Sequence, residues 1–371
     1  MGFSLFSSLL VLSANDWFFL FLSLELLTLT SYCLIALPRT QRSLEAVLKY
    51  FAAGAISTCF LLFGLFLLFA NKDTLSMSEF PSYYAAARSF STFALSAILL
   101  KTGAAPFHYW VVDAYEGAPS IVTVWLATGL KLSIFVILSR IVLVSWGEGV
   151  AFWSPMIAFC SGLSILIGCF GALYQKRLKR LLAYSSINNV GYALAGLAVA
   201  NAGGLQASLV YLFFYNMALL LFFSFLLGAF SSRRLTYVSD IRFLRKSSYC
   251  SIVAALCLFS MAGIPPLSGF FIKFFVLSEL VYSKYYLLAA IGTFSSIISS
   301  FYYIALIKTL FFEDSGTENL EEFLYQKAAY QPPLVAFTCS LAFFFIAYPL
   351  FPGFINSLFT ELALGLTLPF M

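Results

Sequence analysis

Charge is what this sequence is short of. Of its 371 residues only 10% are Asp, Glu, Lys or Arg, while 61% are hydrophobic, and mean hydropathy is +0.94. A soluble domain carries about 25% charged residues, so a water-soluble enzyme is excluded and an integral membrane protein is expected. Histidine is nearly absent too: His108 stands alone and cannot by itself build a zinc or haem site. The seven cysteines (Cys33, Cys59, Cys160, Cys169, Cys250, Cys257 and Cys339) form no CxxC pair and sit in or beside apolar runs, as small core residues do. No GxGxxG or P-loop pattern is present, so the chain itself is expected to bind no nucleotide and to hold no redox cofactor or metal. An Arg/Ser-rich transit peptide is also missing; the sequence starts directly in apolar residues.

Long apolar runs are abundant. A spanning helix needs about 20 mostly apolar residues, and on that rule about eleven helices are expected. They fall near 1–14, 16–37, 44–70, 91–112, 118–145, 149–174, 181–201, 204–230, 247–282, 284–312 and 331–355. The run over 247–282 is too long for one straight span and contains Gly263-Ile264-Pro265-Pro266. Proline removes a backbone donor and clashes with the preceding turn, so a break is expected there, and a similar one at Pro106.

The links between these runs alternate in charge. Arg39, Arg42, Lys176, Arg177, Lys179, Arg180, Arg233, Arg234, Arg242, Arg245 and Lys246 fall on one side, and Lys72, Arg88 and Lys284 on the other. The positive-inside rule places the N-terminus and the basic links in the cytoplasm or matrix, and an odd helix count places the C-terminus opposite. The net charge of +5 therefore speaks about orientation and not about nucleic acid. The acidic stretch 313–327 reads as a surface linker or a contact for another subunit.

Four charges interrupt the middle of apolar runs: Glu25, Lys101, Lys131 and Lys273. A charged group near the bilayer centre costs at least about 2.5–3.5 kcal/mol and is a functional-site hypothesis by default. Burial favours the neutral form of each group and pairing of Glu with Lys favours the ionised forms, so such a set can take up and release protons. A structural ion pair that fixes helix register is the other reading. His108, just after Pro106, fits either a proton relay or a satisfied structural histidine. Arg140, Lys49, Glu279 and Lys308 lie nearer helix ends, where snorkelling is expected. Lys101 precedes its break and Lys273 follows its own, an opposition that inverted-topology repeats could give.

Four segments carry a resemblance. SLELLTLTSYCLIA with RSLEAVLKYFAAGAISTCFLLFG, LLKTGAAPFHYWVVDAYEGAPSIVTVWLATGLKLSIF, QKRLKRLLAYSSINNVGY and SMAGIPPLSGFFIKFF resemble, in order from about residue 11 to about residue 311, the antiporter-like membrane subunits of NADH:quinone oxidoreductase, respiratory complex I. The resemblance implies an all-α inverted-repeat membrane domain over 1–371, with halves at 1–145 and 149–312, an acidic linker at 313–330 and a C-terminal helix and tail at 331–371. It implies that the chain starts near the fourth of the family's fourteen helices. By matching position it gives Glu25, Lys101, Lys131 and Lys273 to proton translocation. NADH, FMN, iron–sulfur clusters and ubiquinone are expected in other subunits. Other membrane-arm subunits and phospholipids are the expected partners, in the mitochondrial inner membrane.

One departure from the family pattern matters. Asn188-Asn189 stand where relatives often carry a histidine. Asparagine hydrogen-bonds water but does not titrate, so a water wire lined by Ser185, Ser186, Asn188, Asn189 and Tyr192 is expected between Lys131 and Lys273. A lone cation/proton antiporter and a non-conducting spacer subunit are the alternatives left open at this point.

Overall fold

The computed structural model of the chain describes residues 1–70, 76–77, 85–142, 150–229, 236–246, 248–312, 345, 348–349 and 352–367. The acidic stretch 313–327 and the linker 313–330 lie outside these, as do Lys72, Arg233 and Arg234. The expected helix over 331–355 also lies outside them, except for residues 345, 348–349 and 352–355.

Every regular element among the described residues is a helix: α1 (Gly2–Leu12), α2 (Trp17–Ala36), α3 (Gln41–Phe69), α4 (Ala85–Thr102), α5 (Tyr109–Gly117), α6 (Ser120–Ala127), α7 (Gly129–Arg140), α8 (Val150–Leu173), α9 (Leu178–Ala198), α10 (Ala202–Ala229), a 3-10 helix (Val238–Lys246), α11 (Ser248–Ala262), α12 (Ser268–Tyr282), α13 (Tyr286–Phe311) and α14 (Pro352–Thr367). Among the described residues six stretches are long and apolar enough to cross a membrane: Trp17–Ala36, Gln41–Phe69, Ser120–Arg140, Trp153–Leu173, Ala202–Leu227 and Tyr286–Phe311. The outside of the molecule is apolar as well; Phe3, Phe51, Phe66, Phe274, Phe301 and Leu48 are exposed, which suits a surface solvated by lipid.

The helix α9 lies at the centre. From Ser185 to Ala198 every one of its residues is buried. Protein surrounds it on all sides, and that permits Ser, Asn, Gly and Tyr where a lipid-facing helix would need Leu and Phe. Its tightest partner is α8, because glycines remove the Cβ atoms that would hold the backbones apart. A Cβ on Gly168 would strike the Asn188 backbone, and one on Gly191 would strike Ile165 and the Ser161 carbonyl.

The two proline segments do interrupt the helices, and in the same way. After α4 the Gly103 N–H donates to the Leu100 carbonyl (3.1 Å) and the Ala104 N–H to Leu99 (3.1 Å), with Gly103 at φ +74°. After α11 the Gly263 N–H donates to Ser260 (3.0 Å) and Ile264 to Phe259 (3.2 Å), with Gly263 at φ +83°. Each is a Schellman cap, which needs a left-handed residue and so favours glycine. Gly-x-x-Pro runs in the same chain order in both places, Gly103 to Pro106 and Gly263 to Pro266.

Other expectations need correction. The stretch 352–367, expected to be mostly tail, is the helix α14, opened by Pro352 at a position where proline is pre-organised for a helix. It packs on α10 through Phe359 and Phe213 (ring centroids 5.5 Å apart), and the Gln206 side-chain amide donates to the Asn356 carbonyl (3.0 Å). Lys49 and Arg140, expected to snorkel, reach the ends of their helices and find polar partners there. Lys49 pairs with Asp113 (2.8 Å) and Glu45 (2.6 Å), while Arg140 donates to the Ala14 carbonyl (3.0 Å) and Asn15 Oδ1 (2.8 Å), tying α7 to the α1–α2 turn. In each case a polar partner lies within reach across the helix packing, a neighbour that helix-end position alone does not reveal.

Candidate functional site: a line of buried lysines

Lys101 sits in the last turn of α4, 4% exposed, and its Nζ lies 3.1 Å from Glu25 Oε1 on α2. The carboxylate is 28% exposed, so the pair has one partner inside the bundle and one reaching its surface. Around it Ser31 donates to the Tyr50 hydroxyl (3.1 Å), and the Tyr50 ring stacks on Trp110 (4.5 Å). The Trp110 indole N–H donates to the Leu100 carbonyl (2.9 Å), and the Ala105 N–H to Ser164 Oγ (2.8 Å), so the broken backbone finds partners inside protein.

Lys131 lies on α7, just past a distortion at Thr128 (φ −112°, ψ −72°) that divides one apolar run into α6 and α7. It is 3% exposed. Its Nζ donates to Ser186 Oγ on α9 (3.0 Å) and stands 5.4 Å from the centre of the Tyr115 ring. Lys273, on α12 and 6% exposed, donates to the Met261 (3.1 Å) and Ala262 (2.9 Å) carbonyls and reaches Ser299 Oγ at 3.5 Å. Those two carbonyls belong to the end of α11, where a helix leaves four acceptors unsatisfied and carries its negative dipole end. The Schellman cap uses Phe259 and Ser260, and Lys273 supplies donors for the other two. Among the described residues neither Lys131 nor Lys273 has a carboxylate partner, in contrast to Lys101.

One face of α9 connects these two lysines. Ser186, Asn189 and Tyr192 are spaced three apart, a spacing that brings side chains to neighbouring positions on a helix. Ser186 accepts from Lys131; Asn189 Oδ1 accepts from the Tyr211 hydroxyl (2.5 Å); the Tyr192 ring lies 5.7 Å from Lys273 Nζ. The Tyr192 hydroxyl in turn donates to the Gly292 carbonyl (2.5 Å) and meets Ser295 Oγ (2.7 Å). Between Asn189 and Lys273 lies a cavity of about 20 Å³, walled also by Tyr211, Tyr215, Ser260 and Ser268. That is room for one water, and the walls supply the polar partners a buried water needs. The Ser268 hydroxyl closes no hydrogen bond with the protein, and the Tyr215 hydroxyl stands beside Asn189 and Ser185 without a direct one.

Not every expected residue joins this line. Asn188 turns toward α8 at Gly168, away from Asn189, and its Oδ1 closes no hydrogen bond. Ser185 bonds the Leu182 carbonyl within α9 (2.8 Å). His108 takes the N-cap position of α5 against the Pro106 backbone, half-buried, and its Nδ1 closes no hydrogen bond; it touches none of the four charges. Pro106, Pro265 and Pro266 lie in the breaks. Sequence reasoning missed Tyr115, Tyr211, Tyr215, Ser260, Ser268, Ser295 and Ser299. The available signal was the pairing of Tyr211 and Tyr215 at i and i+4 in an otherwise apolar run.

Comparison with known proteins agrees with this architecture. A family model described as NADH:quinone oxidoreductase/Mrp antiporter, TM, matches residues 14–299. The chain is 39% identical over 321 residues to NADH-quinone oxidoreductase subunit N 1 of Rhizobium meliloti, a match covering 84% of this chain and 67% of that one. It is similar to a chain of respiratory complex I from Thermus thermophilus, with TM-score 0.80 and 27% identity, over 96% of this chain and 78% of that chain. A chain of the Mrp complex from Dietzia sp. shares the fold, with TM-score 0.84 and 20% identity over 98% of this chain and 76% of that one.

Proposed function

The chain belongs to the NADH:quinone oxidoreductase/Mrp antiporter family of membrane proteins, and from that premise we propose that it is a proton-translocating subunit of respiratory complex I. The observation that carries the reading is the run of three buried lysines with a single carboxylate among them, two of them joined by the polar face of α9. Glu25–Lys101 is a pair that can separate. Lys131 and Lys273 are held by a hydroxyl, aromatic faces and carbonyl dipoles, so each can give up its proton without stranding a counter-charge. A proton passed from Lys131 would travel by Ser186 and by water held in the cavity beside Asn189 to Lys273. When Lys273 swings away, the Met261 and Ala262 carbonyls need new donors, which draws water into the break.

The finer architecture follows the same reading. About eleven spans result when α4–α5 and α11–α12 each count as one broken span and α6–α7 as one. The halves 1–145 and 149–312 are inverted repeats, supported by the shared glycine caps. The chain acts in the manner of subunit 2 of the mitochondrial enzyme, in the inner membrane, with its basic links and N-terminus in the matrix and its C-terminus in the intermembrane space. NADH, FMN, iron–sulfur clusters and ubiquinone are handled by other subunits, with which it forms a hetero-oligomer. The sequence resemblance supports these assignments; the relatives matched above are bacterial.

The test is Lys131→Met in the assembled complex, with protons moved per electron and quinone-reductase rate measured together. Pumping per electron should fall, or turnover stall, while assembly is retained. An intact complex with both rates unchanged would overturn the conducting role and leave a spacer.

A further inference from the structure

A second cavity lies apart from the lysine line, at the end of the bundle where the basic links gather. It measures about 350 Å³ and is walled by three separate stretches of chain and Thr236: Pro38, Thr40 and Arg42; Glu116 to Ser120; and Arg177 with Lys179. Three cations and one carboxylate face it. Glu116 is already engaged, in ion pairs with Arg177 and Arg180, and Arg180 also reaches Asp113 (3.4 Å). Lys179 donates to the Ala118 carbonyl (2.6 Å), which holds its ammonium at the wall. Arg42 is exposed and forms no ion pair among the described residues. Beside these engaged groups the cavity presents the exposed Arg42 guanidinium, whose planar fork suits a pair of oxygens.

The backbone adds to this. The helix α6 begins at the cavity wall with Pro119 as N-cap and no side-chain cap, and its first intrahelical donor is the Thr123 N–H, bonded to the Pro119 carbonyl (2.8 Å). The Ala118 N–H is bonded to the Ala114 carbonyl and Pro119 has none, so the uncapped donors are those of Ser120, Ile121 and Val122 in the first turn of α6; Ser120 lines the cavity, and a helix start favours anions. Exposed apolar residues neighbour the lining residues in sequence: Leu37 precedes Pro38, Leu44 lies two residues after Arg42, and Ile121 follows Ser120. Basic recesses between spanning helices on this kind of surface suit phosphate-bearing headgroups.

We propose that this cavity binds a phosphate group, held by Arg42, Lys179 and the start of α6 at Ser120. A phospholipid headgroup and a soluble phosphate offer the same chemistry, and the exposed Leu37, Leu44 and Ile121 nearby in sequence suit the lipid. The site is separate from the proton route, so its failure would leave the translocating role standing.

The experiment uses the whole complex in mixed micelles with a photoactivatable phosphatidylglycerol, mapping the labelled peptides. Wild-type label should fall on 37–44 and 117–123, and drop about thirtyfold in R42Q/K179Q, as two lost basic contacts predict. The charge-keeping variant R42K/K179R should keep most of it, which separates loss of charge from loss of structure. Competition by unlabelled phosphatidylglycerol alone identifies a lipid site; competition by inorganic phosphate as well identifies a soluble-phosphate site. Equal labelling of these peptides by a neutral phosphatidylcholine probe and by the anionic one, indifferent to R42Q/K179Q, would overturn the proposal. So would a wild-type complex that takes no label there.

Discussion

Glu25 and Lys101 allow the two readings of a buried ion pair to be separated by experiment. Breaking a buried pair by removing one partner costs about 3–5 kcal/mol, whereas removing both charges together is often nearly neutral. E25Q and K101M should therefore each lower the melting temperature of the complex, and E25Q/K101M should recover much of the loss. A pair that only fixes helix register would recover pumping along with stability. A pair on the proton route would leave the double variant stable and unable to pump, which is the outcome expected here. Lys131 and Lys273 offer no such cycle, because their partners are Ser186, Tyr115, Tyr192 and backbone carbonyls.

At the level of elements, the two glycine caps are equivalent in form and unequal in surroundings. Alanine at either position must adopt a left-handed conformation, at a cost of about 1–2 kcal/mol. At Gly103 the added methyl would also strike the buried Val111 side chain, which must shift. At Gly263 it lies 3.0 Å from Lys273 Cδ and 3.2 Å from Nζ, and so pushes the lysine off the Met261 and Ala262 carbonyls. G103A should lose more stability than G263A by thermal denaturation, because it also displaces Val111, while G263A alone loses protons per electron in proportion beyond its loss of stability. Equal pumping in the two variants would show that Lys273 does not depend on its seat against α11.

For the molecule as a whole, the basic end is a joint as well as an orientation signal. Glu116 with Arg177 and Arg180, Asp113 with Arg180 and Lys49, and Lys49 with Glu45 connect α3, α5 and α9. An isolated bridge between Arg177 and Tyr237 brings the link before the 3-10 helix to the same end. These groups are partly exposed, so each pair contributes modestly. E116Q should destabilise the complex by about 1 kcal/mol at low ionic strength. The difference should shrink at about 1 M salt, where screening acts over about 3 Å. A salt-independent loss would point instead to packing around α5.

The sequence by itself determined the medium, most of the helices and the three buried lysines, because hydrophobic run length and the cost of charge in lipid are local properties. It also located both breaks, since proline acts on its own backbone. Only the tertiary structure decided which polar side chains meet. Asn188 and Asn189 are adjacent in sequence and face different helices; Lys49 and Asp113 are far apart in sequence and form an ion pair. The seat of Lys273 on the α11 carbonyls and the cavity beside Asn189 depend on how helices pack against α9. The helix at 352–367 lay hidden for the opposite reason: Gly353, Asn356, Ser357 and Glu361 dilute its hydrophobicity, and it is its contact with α10 that reveals where it belongs.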